Sequence, residues 1–313
     1  MADRTYLRRL KQAVRHPHLQ LGAGLFLAGF LFALAAGLWL KPSAPVLEPH
    51  KDVAGLLRST TIPSPEADII RTPTADDPPA VAPINQARND KPQIAIVLDD
   101  MGPNRHETRR AMSLPAPVTF AFLPYADDVA SLAATARAAG HELLVHVPMQ
   151  PLGDADPGPH ALRVGQAAAE IAGNLDWNLS RFTGYIGINN HMGSRFTQDE
   201  KGMAIVAGIL KARGLVFLDS RTIAGSKAET VARQAGVPVL SRDVFLDHDE
   251  DGAQVTLELD RLEHLARQNG VAIAIGHPHP QTLDILEKWI PQAQARGFSL
   301  VPLSAILHRA KAS

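Results

Sequence analysis

The stretch Ile94-Ala-Ile-Val-Leu-Asp-Asp-Met-Gly102 constrains this chain more than any other. An apolar run of this length reads as a strand buried on both faces, the kind found in parallel sheets. Such a strand has no cheap place for ionised groups, so Asp99 and Asp100 must stand at its end, where a loop begins. In α/β folds ligands bind at the C-terminal ends of the strands. Taken alone, the pair is as well explained by a helix cap and a solvated neighbour. The other strand ends decide between the two readings.

From Gln93 onward, short apolar runs alternate with amphipathic stretches. Strands are expected at 93–99, 118–123, 142–147, 184–189, 215–219, 237–240, 271–276 and 298–302. Helical patterns lie near 104–113, 127–139, 163–176, 199–213, 227–235, 254–269 and 281–296. Gly140, Gly214, Gly236, Gly270 and Gly297 stand at helix-to-strand joints, where a helix C-cap is expected. Seven or eight βα units in about 220 residues predict a distorted (β/α) barrel, with a doubly wound open sheet as the alternative. No dinucleotide fingerprint and no phosphate-cradling loop follows the first strand.

The polar residues at the strand ends are numerous. Beyond Asp99 and Asp100 they include His146, Asn189, Asn190, His191, Arg195, Asp219, Arg221, Arg242, Asp243, Asp247, His277 and His279. In a barrel these ends converge on one mouth, whatever their separation in sequence. An oxygen-and-imidazole site follows, with zinc or a similar divalent ion as the usual occupant. Asp219 and Asp243 are equally well explained as helix caps or as partners of Arg195, Arg221 or Arg242, and His141 reads as a turn or surface residue. Asn189 and Asn190 suit orienting hydrogen bonds rather than ligation. The run from Asp247 to Glu258 has the spacing of a calcium loop. The segment before it reads as strand and loop, however, and Gln254 stands where a hydrophobic residue is expected. It reads instead as a solvated acidic loop that starts the next helix.

Composition removes several classes. With 31 basic and 32 acidic residues the formal net charge is −1, which does not suit a nucleic-acid binder. The absence of cysteine excludes disulfides, thiolate zinc sites and a cysteine nucleophile. The amino-terminal part has a different character. Residues 1–20 form a basic segment carrying Arg4, Arg8, Arg9, Lys11 and Arg15, and residues 21–40 carry no charge. Twenty apolar residues span roughly 30 Å, the thickness of a bilayer core. The basic flank predicts a cytoplasmic amino end and a single-pass anchor in the inner membrane, with the remainder exported to the periplasm. The run outlasts the h-region of a cleaved signal peptide, roughly 7–15 residues. Residues 41–91, with nine prolines between Pro42 and Pro83, read as a disordered spacer. The globular domain is then 92–313.

The segments VLDDMG, GHELLVHVPMQP, INNHMGSRF, FLDSRT, DVFLDHD and AIAIGHPHP, in that order, resemble the divergent polysaccharide deacetylase family, which is related to the NodB-like deacetylases of carbohydrate esterase family 4. The resemblance covers nearly all of the globular part. It implies a distorted barrel of the NodB-like type and metal-dependent removal of N-acetyl groups from a glycan, with peptidoglycan among the envelope polysaccharides within reach. It also implies roles: Asp99 as catalytic base, Asp100 and His146 as metal ligands, and His277 as general acid. The chain departs from the pattern at Gln150, where the relatives carry a second metal histidine. It departs again at Asn190-His191-Met192-Gly193, which replaces an Arg-Pro-Tyr loop. From this we expect His191 to supply the missing imidazole, and Asp219 or Asp243 to hold His277 in its protonated form. Asn190, Arg195 and His279 are expected to bind or orient substrate. Two alternatives accompany this reading: a non-catalytic glycan- or partner-binding envelope protein, and another metal-dependent hydrolase.

Overall fold

The computed structural model describes residues 91–115 and 117–312. Among them, nine strands make one sheet: β1 (Gln93–Met101), β2 (Thr119–Phe122), β3 (Glu142–Met149), β4 (Gly187–Met192), β5 (Val216–Asp219), β6 (Val239–Ser241), β7 (Val244–Phe245), β8 (Val271–Gly276) and β9 (Ser299–Leu300). Their order is β6-β5-β4-β3-β2-β1-β8-β7, with β9 beside the start of β1. Every pairing is parallel. The helices are α1 (Arg105–Ala111), α2 (Val129–Ala138), α3 (Ala168–Leu179), α4 (Glu200–Arg213), α5 (Ala228–Ala235), α6 (Gly252–Asn269), α7 (Pro280–Ala295) and α8 (Leu303–Ala312).

The sheet curls until its two edge strands, β6 and β7, are separated by Arg242 and Asp243 alone. The Arg242 N–H donates back to Asp219 O at 3.1 Å, while the Asp243 N–H donates to Ile273 O at 2.9 Å. The Asp243 carboxylate accepts from Ile273 N at 2.8 Å, taking the place of a missing ladder carbonyl. One short segment therefore leans on β5 with its first half and on β8 with its second. The result is a curled parallel α/β half-barrel with a seam, in place of an open sheet.

Side-chain alternation along each strand separates two cores. Ile94, Ile96 and Leu98 face outward and pack with the helices. Ala95 and Val97 face inward with Ala121, Leu144, Leu218, Ile273 and Ile275. The floor of this inner core is closed by α8, whose Leu303 and Ile306 are buried against it. Each contributes about 1.5–3 kcal/mol by leaving water. The start of α8 is held by the Glu142 carboxylate, which accepts from Ser304 N at 3.0 Å. The inner core thus fills the lower barrel, and the strand ends above it are left to polar side chains.

Most expected elements form, and all five joint glycines have positive φ. Three differences matter. β4 lies about three residues later than its apolar run suggests, which places Asn189, Asn190 and His191 within the strand. α8 has no counterpart in the sequence reading. His141 is buried, its ring 4.5 Å from that of Phe120 and its Nε2 3.2 Å from Met112 O; it braces the barrel floor and is no surface residue. The expected basic segment, anchor and spacer, apart from Lys91, lie outside the described residues. Among those described, no helix is long and apolar enough to cross a membrane.

Candidate active site

Two neighbours in a strand normally point to opposite faces, yet Asp99 and Asp100 both line one cavity. The reason is local. The register between β1 and β2 shifts between Leu98 and Met101, and Asp100 adopts a left-handed φ of 55°. This bulge turns an outward residue inward. Aspartate tolerates that conformation better than most residues do. Met192 (φ 53°) and Arg221 (φ 51°), at the ends of β4 and β5, adopt the same kind of turn. Backbone strain of this kind collects at functional sites.

The cavity holds about 270 Å³ and is lined by Asp99, Asp100, His146, His191, Arg242 and His277, among others. Asp100 Oδ1 lies 2.8 Å from His191 Nδ1 and 3.2 Å from His146 Nε2. The two imidazole nitrogens are 3.3 Å apart. One ligand atom from each of Asp100, His146 and His191 falls within 4.8 Å of the others. Although it is buried, Asp100 Oδ1 has no hydrogen-bond partner of acceptable geometry among the described residues. Three donors converging around an orphaned carboxylate oxygen fit a divalent cation. Burial alone would raise the Asp100 carboxyl, but the two imidazoles beside it hold it well below the usual carboxylate range.

Asn189 joins this cluster to Asp99. It is fully buried; its Nδ2 donates to Asp99 Oδ1 at 2.7 Å, and its Oδ1 faces His146 Nδ1 at 2.9 Å. An ionised carboxylate only accepts, so the amide nitrogen must face Asp99 and the amide oxygen must face His146. In the neutral ring, Nδ1 of His146 therefore carries the proton and Nε2 offers its lone pair to the cluster. This is the outer-shell arrangement that fixes metal-binding imidazoles. Burial pushes the Asp99 carboxyl above its ordinary range, outweighing the opposite effects of His146 and His277.

Across the cavity, His277 Nε2 sits 4.0 Å from Asp100 Oδ2. Its partner is neither Asp219 nor Asp243, as the sequence suggested, but Asp247. Asp247 Oδ1 faces His277 Nδ1 at 2.9 Å. Asp247 Oδ2 accepts from His277 N at 2.7 Å and from Thr282 Oγ1 at 2.9 Å. Burial would lower the imidazole, but Asp247, with help from Asp99 and Asp100, raises it to about 9. His277 is thus an imidazolium at neutral pH, with its Nε2–H turned toward the cavity.

The other expected residues sort out plainly. Asn190 lines the cavity, and its Oδ1 accepts from Ser220 N. Asp219 points away and caps the following loop, accepting from Arg221 N and Ser226 Oγ. Asp243 holds the barrel seam. Arg195 is exposed on the loop after β4, and His279 starts α7 with its Nε2 3.8 Å from Glu250; neither lines the cavity. Gln150 is no stand-in for a metal histidine, because its Oε1 accepts from Val164 N at 2.9 Å. The calcium-like loop is not assembled either: Asp247 is turned inward, and Asp251 caps α6 through Ala253 N. Sequence reasoning set Asp247 among the strand-end residues and also in that acidic loop, without a partner, and gave Asn189 no specific partners. Counting by two along β4 back from His191 marks Asn189 as inward-facing.

Residues 96–307 match the family model for divergent polysaccharide deacetylases. The chain is 37% identical over 216 residues to the uncharacterized protein YibQ of Escherichia coli K12, a match covering 69% of this chain and 67% of that protein. It is 35% identical over 195 residues to an uncharacterized protein of Haemophilus influenzae Rd, covering 62% and 70% respectively. Among solved structures, an uncharacterized protein from Agrobacterium tumefaciens C58 superposes with a TM-score of 0.68 at 30% identity, covering 69% of this chain and 89% of that one.

Proposed function

The chain belongs to the divergent polysaccharide deacetylase family, and we propose that it is a metal-dependent hydrolase that removes N-acetyl groups from an envelope polysaccharide. One observation carries the reading: a buried carboxylate, a three-donor cluster and a charged imidazole face one another across a single cavity. Asp100, His146 and His191 would hold the ion, and the nitrogen and oxygen donor set favours zinc. A bound divalent ion supplies Lewis acidity toward an amide carbonyl and toward water.

The chain's own residues do the rest. Asp99, steered by the Asn189 N–H, takes a proton from the attacking water. His277 Nε2–H gives a proton to the departing nitrogen, while Asp247 keeps the ring oriented and charged. Water and amide become acetate and a free amine. The cavity volume lies at the small end for ligand sites and suits one acetylated sugar unit at a time. We further propose that residues 21–40 anchor the chain in the inner membrane and that the domain from residue 92 works in the periplasm. The charge-free run behind a basic flank supports this. A reporter enzyme fused after Ser313 that is active only in the cytoplasm would refute it.

The principal test is acetate release from N-acetylated oligosaccharides by the zinc-loaded protein, with Asp99→Asn and Asp100→Ala as controls. Release that is unchanged in Asp99→Asn, or in the presence of a chelator, would refute the mechanism. Glycan binding that survives chelation, without any acetate release, would make the protein a non-catalytic glycan receptor instead.

A further inference from the structure

Arg242 lines the cavity, and its guanidinium is held from two sides. Nε donates to Ser220 O at 2.7 Å and Nη2 to Arg221 O at 2.9 Å. The ring of Phe245 lies under it, with Cζ 4.7 Å from the ring centroid. Yet no carboxylate among the described residues lies within 4.0 Å of it. Among the described residues, Arg110, also partly buried, and the exposed Arg296 do not behave this way. Arg110 pairs with Asp284 and Glu287, and Arg296 pairs with Glu263. A cation partly withdrawn from water with no carboxylate in contact is costly: burial depresses the Arg242 pKa, and the more distant Asp99 and Asp219 offset only part of that. Two of its five N–H groups are committed to carbonyls, so three remain, two of them able to form the edge shared by Nη1 and Nη2. That edge matches the two oxygens of a carboxylate. Because backbone and aromatic ring already fix the plane, little side-chain freedom is lost when an anion docks.

We infer that Arg242 is an anion receptor within the cavity and that it directs the protein to acidic glycans, in which the sugar in the site, or its neighbour, carries a carboxylate. The inference rests on the reading proposed above for the ligand being an N-acetylated glycan. It goes beyond that reading in naming the charge the glycan bears. A residue that only tuned Asp99 would act equally on neutral and acidic ligands. A residue that only braced the seam would show itself in stability.

The test is calorimetry on the full-length, zinc-loaded chain carrying Asp99→Asn to stop turnover. The probes are a neutral tetramer of N-acetylglucosamine and a tetrasaccharide alternating N-acetylglucosamine with N-acetylmuramic acid. With Arg242 present, the acidic ligand is expected to bind at least tenfold more tightly. Arg242→Gln should collapse that ratio toward one, and Arg242→Lys, which keeps the charge but not the fork, should restore part of it. Equal affinity for both ligands with Arg242 intact overturns the inference. So does a loss in Arg242→Gln that is uniform across the two ligands, or a fall in Tm with the ratio unchanged. Acidic-ligand preference without acetate release from the unsubstituted chain would uphold the receptor and overturn the deacetylase reading. Acetate release with no preference would do the reverse.

Discussion

The Asp247→Asn substitution is the sharpest probe of the charged imidazole. Asp247 receives three donors on two oxygens: His277 N and Thr282 Oγ1 on Oδ2, and His277 Nδ1 on Oδ1. A backbone N–H cannot become an acceptor, so the carbonyl of an introduced amide must take the Oδ2 position. Its NH2 group then faces His277 Nδ1, which must give up its proton and accept. The ring becomes neutral, with its proton on Nε2. Raising an imidazole from 6.5 to about 9 represents about 3 kcal/mol of preference for the charged form, at about 1.4 kcal/mol per tenfold. A raised pKa contributes stability that is fully present below pH 6.5 and is lost as pH rises through about 9. The deficit of Asp247→Asn should therefore be largest at pH 6 and should shrink above about 9. Two assays read this: NMR titration of the His277 ring, expected to fall to 6.5 or below, and urea unfolding at pH 6 and pH 10. Acetate release near pH 8 should drop by about 100-fold or more with loss of the charged acid. A His277 that still titrates near 9 in the variant, or a stability deficit independent of pH, would refute the reasoning.

Substitutions at three further positions test other parts of the structure. Asn189→Leu removes the acceptor for His146 Nδ1 and should weaken metal binding by about 10- to 100-fold in a chelator competition. Asn189→Asp keeps that acceptor but sets a second carboxylate against Asp99, so it should retain the metal and lose turnover; equal metal loss in both variants would contradict the assigned role. Gly187→Ala would place a Cβ 2.2 Å from the Val216 carbonyl oxygen, and chemical denaturation should show a loss of about 1–3 kcal/mol, whereas a change within error would show that β4 and β5 can move apart. Glu263 is buried under Arg296 and Arg267 and accepts from the Trp289 Nε1–H; Glu263→Ala strands that buried donor and should cost about 1–3 kcal/mol, with part of the loss recovered by adding Trp289→Phe; no recovery would argue against the stranded N–H as the cause.

The reach of the sequence can be seen residue by residue. Hydrophobic runs mark the strands because both of their faces are buried, and the first polar residues after each run mark the mouth. That logic brings Asp99, Asp100, His146, His191 and His277 to one cavity. It weakens where a strand's inward face is itself part of the cavity. β4 carries Asn189 and His191 on that face, so its apolar signal ends three residues before the strand does. It places Asp247 at a strand end but does not give its partner. Surrounded by Asp249, Glu250 and Asp251, Asp247 has the composition of a solvated loop, and its burial is dictated by His277 and Thr282, which lie 30 and 35 residues further along the chain. Arg242 likewise stands among the strand-end residues in the sequence, but its bonds to the Ser220 and Arg221 carbonyls, in place of a carboxylate partner, follow from the curl of the sheet at the seam. The inward turn of Asp100 depends on a bulge, and no alternation of residue types announces a bulge.

The floor of the barrel has a consequence for working distance. β1 starts there, β9 pairs with that start, and α8 closes it, so the described chain begins on the face opposite the cavity. The strand ends that line the cavity therefore lie on the side away from residue 91. If residues 21–40 anchor the chain as proposed above, the fifty residues from 41 to 90 set an outer limit of about 170 Å on the distance between the bilayer and the domain. Shortening that segment should then shrink the layer of glycan within reach while leaving acetate release from soluble oligosaccharides, the activity proposed above, unchanged.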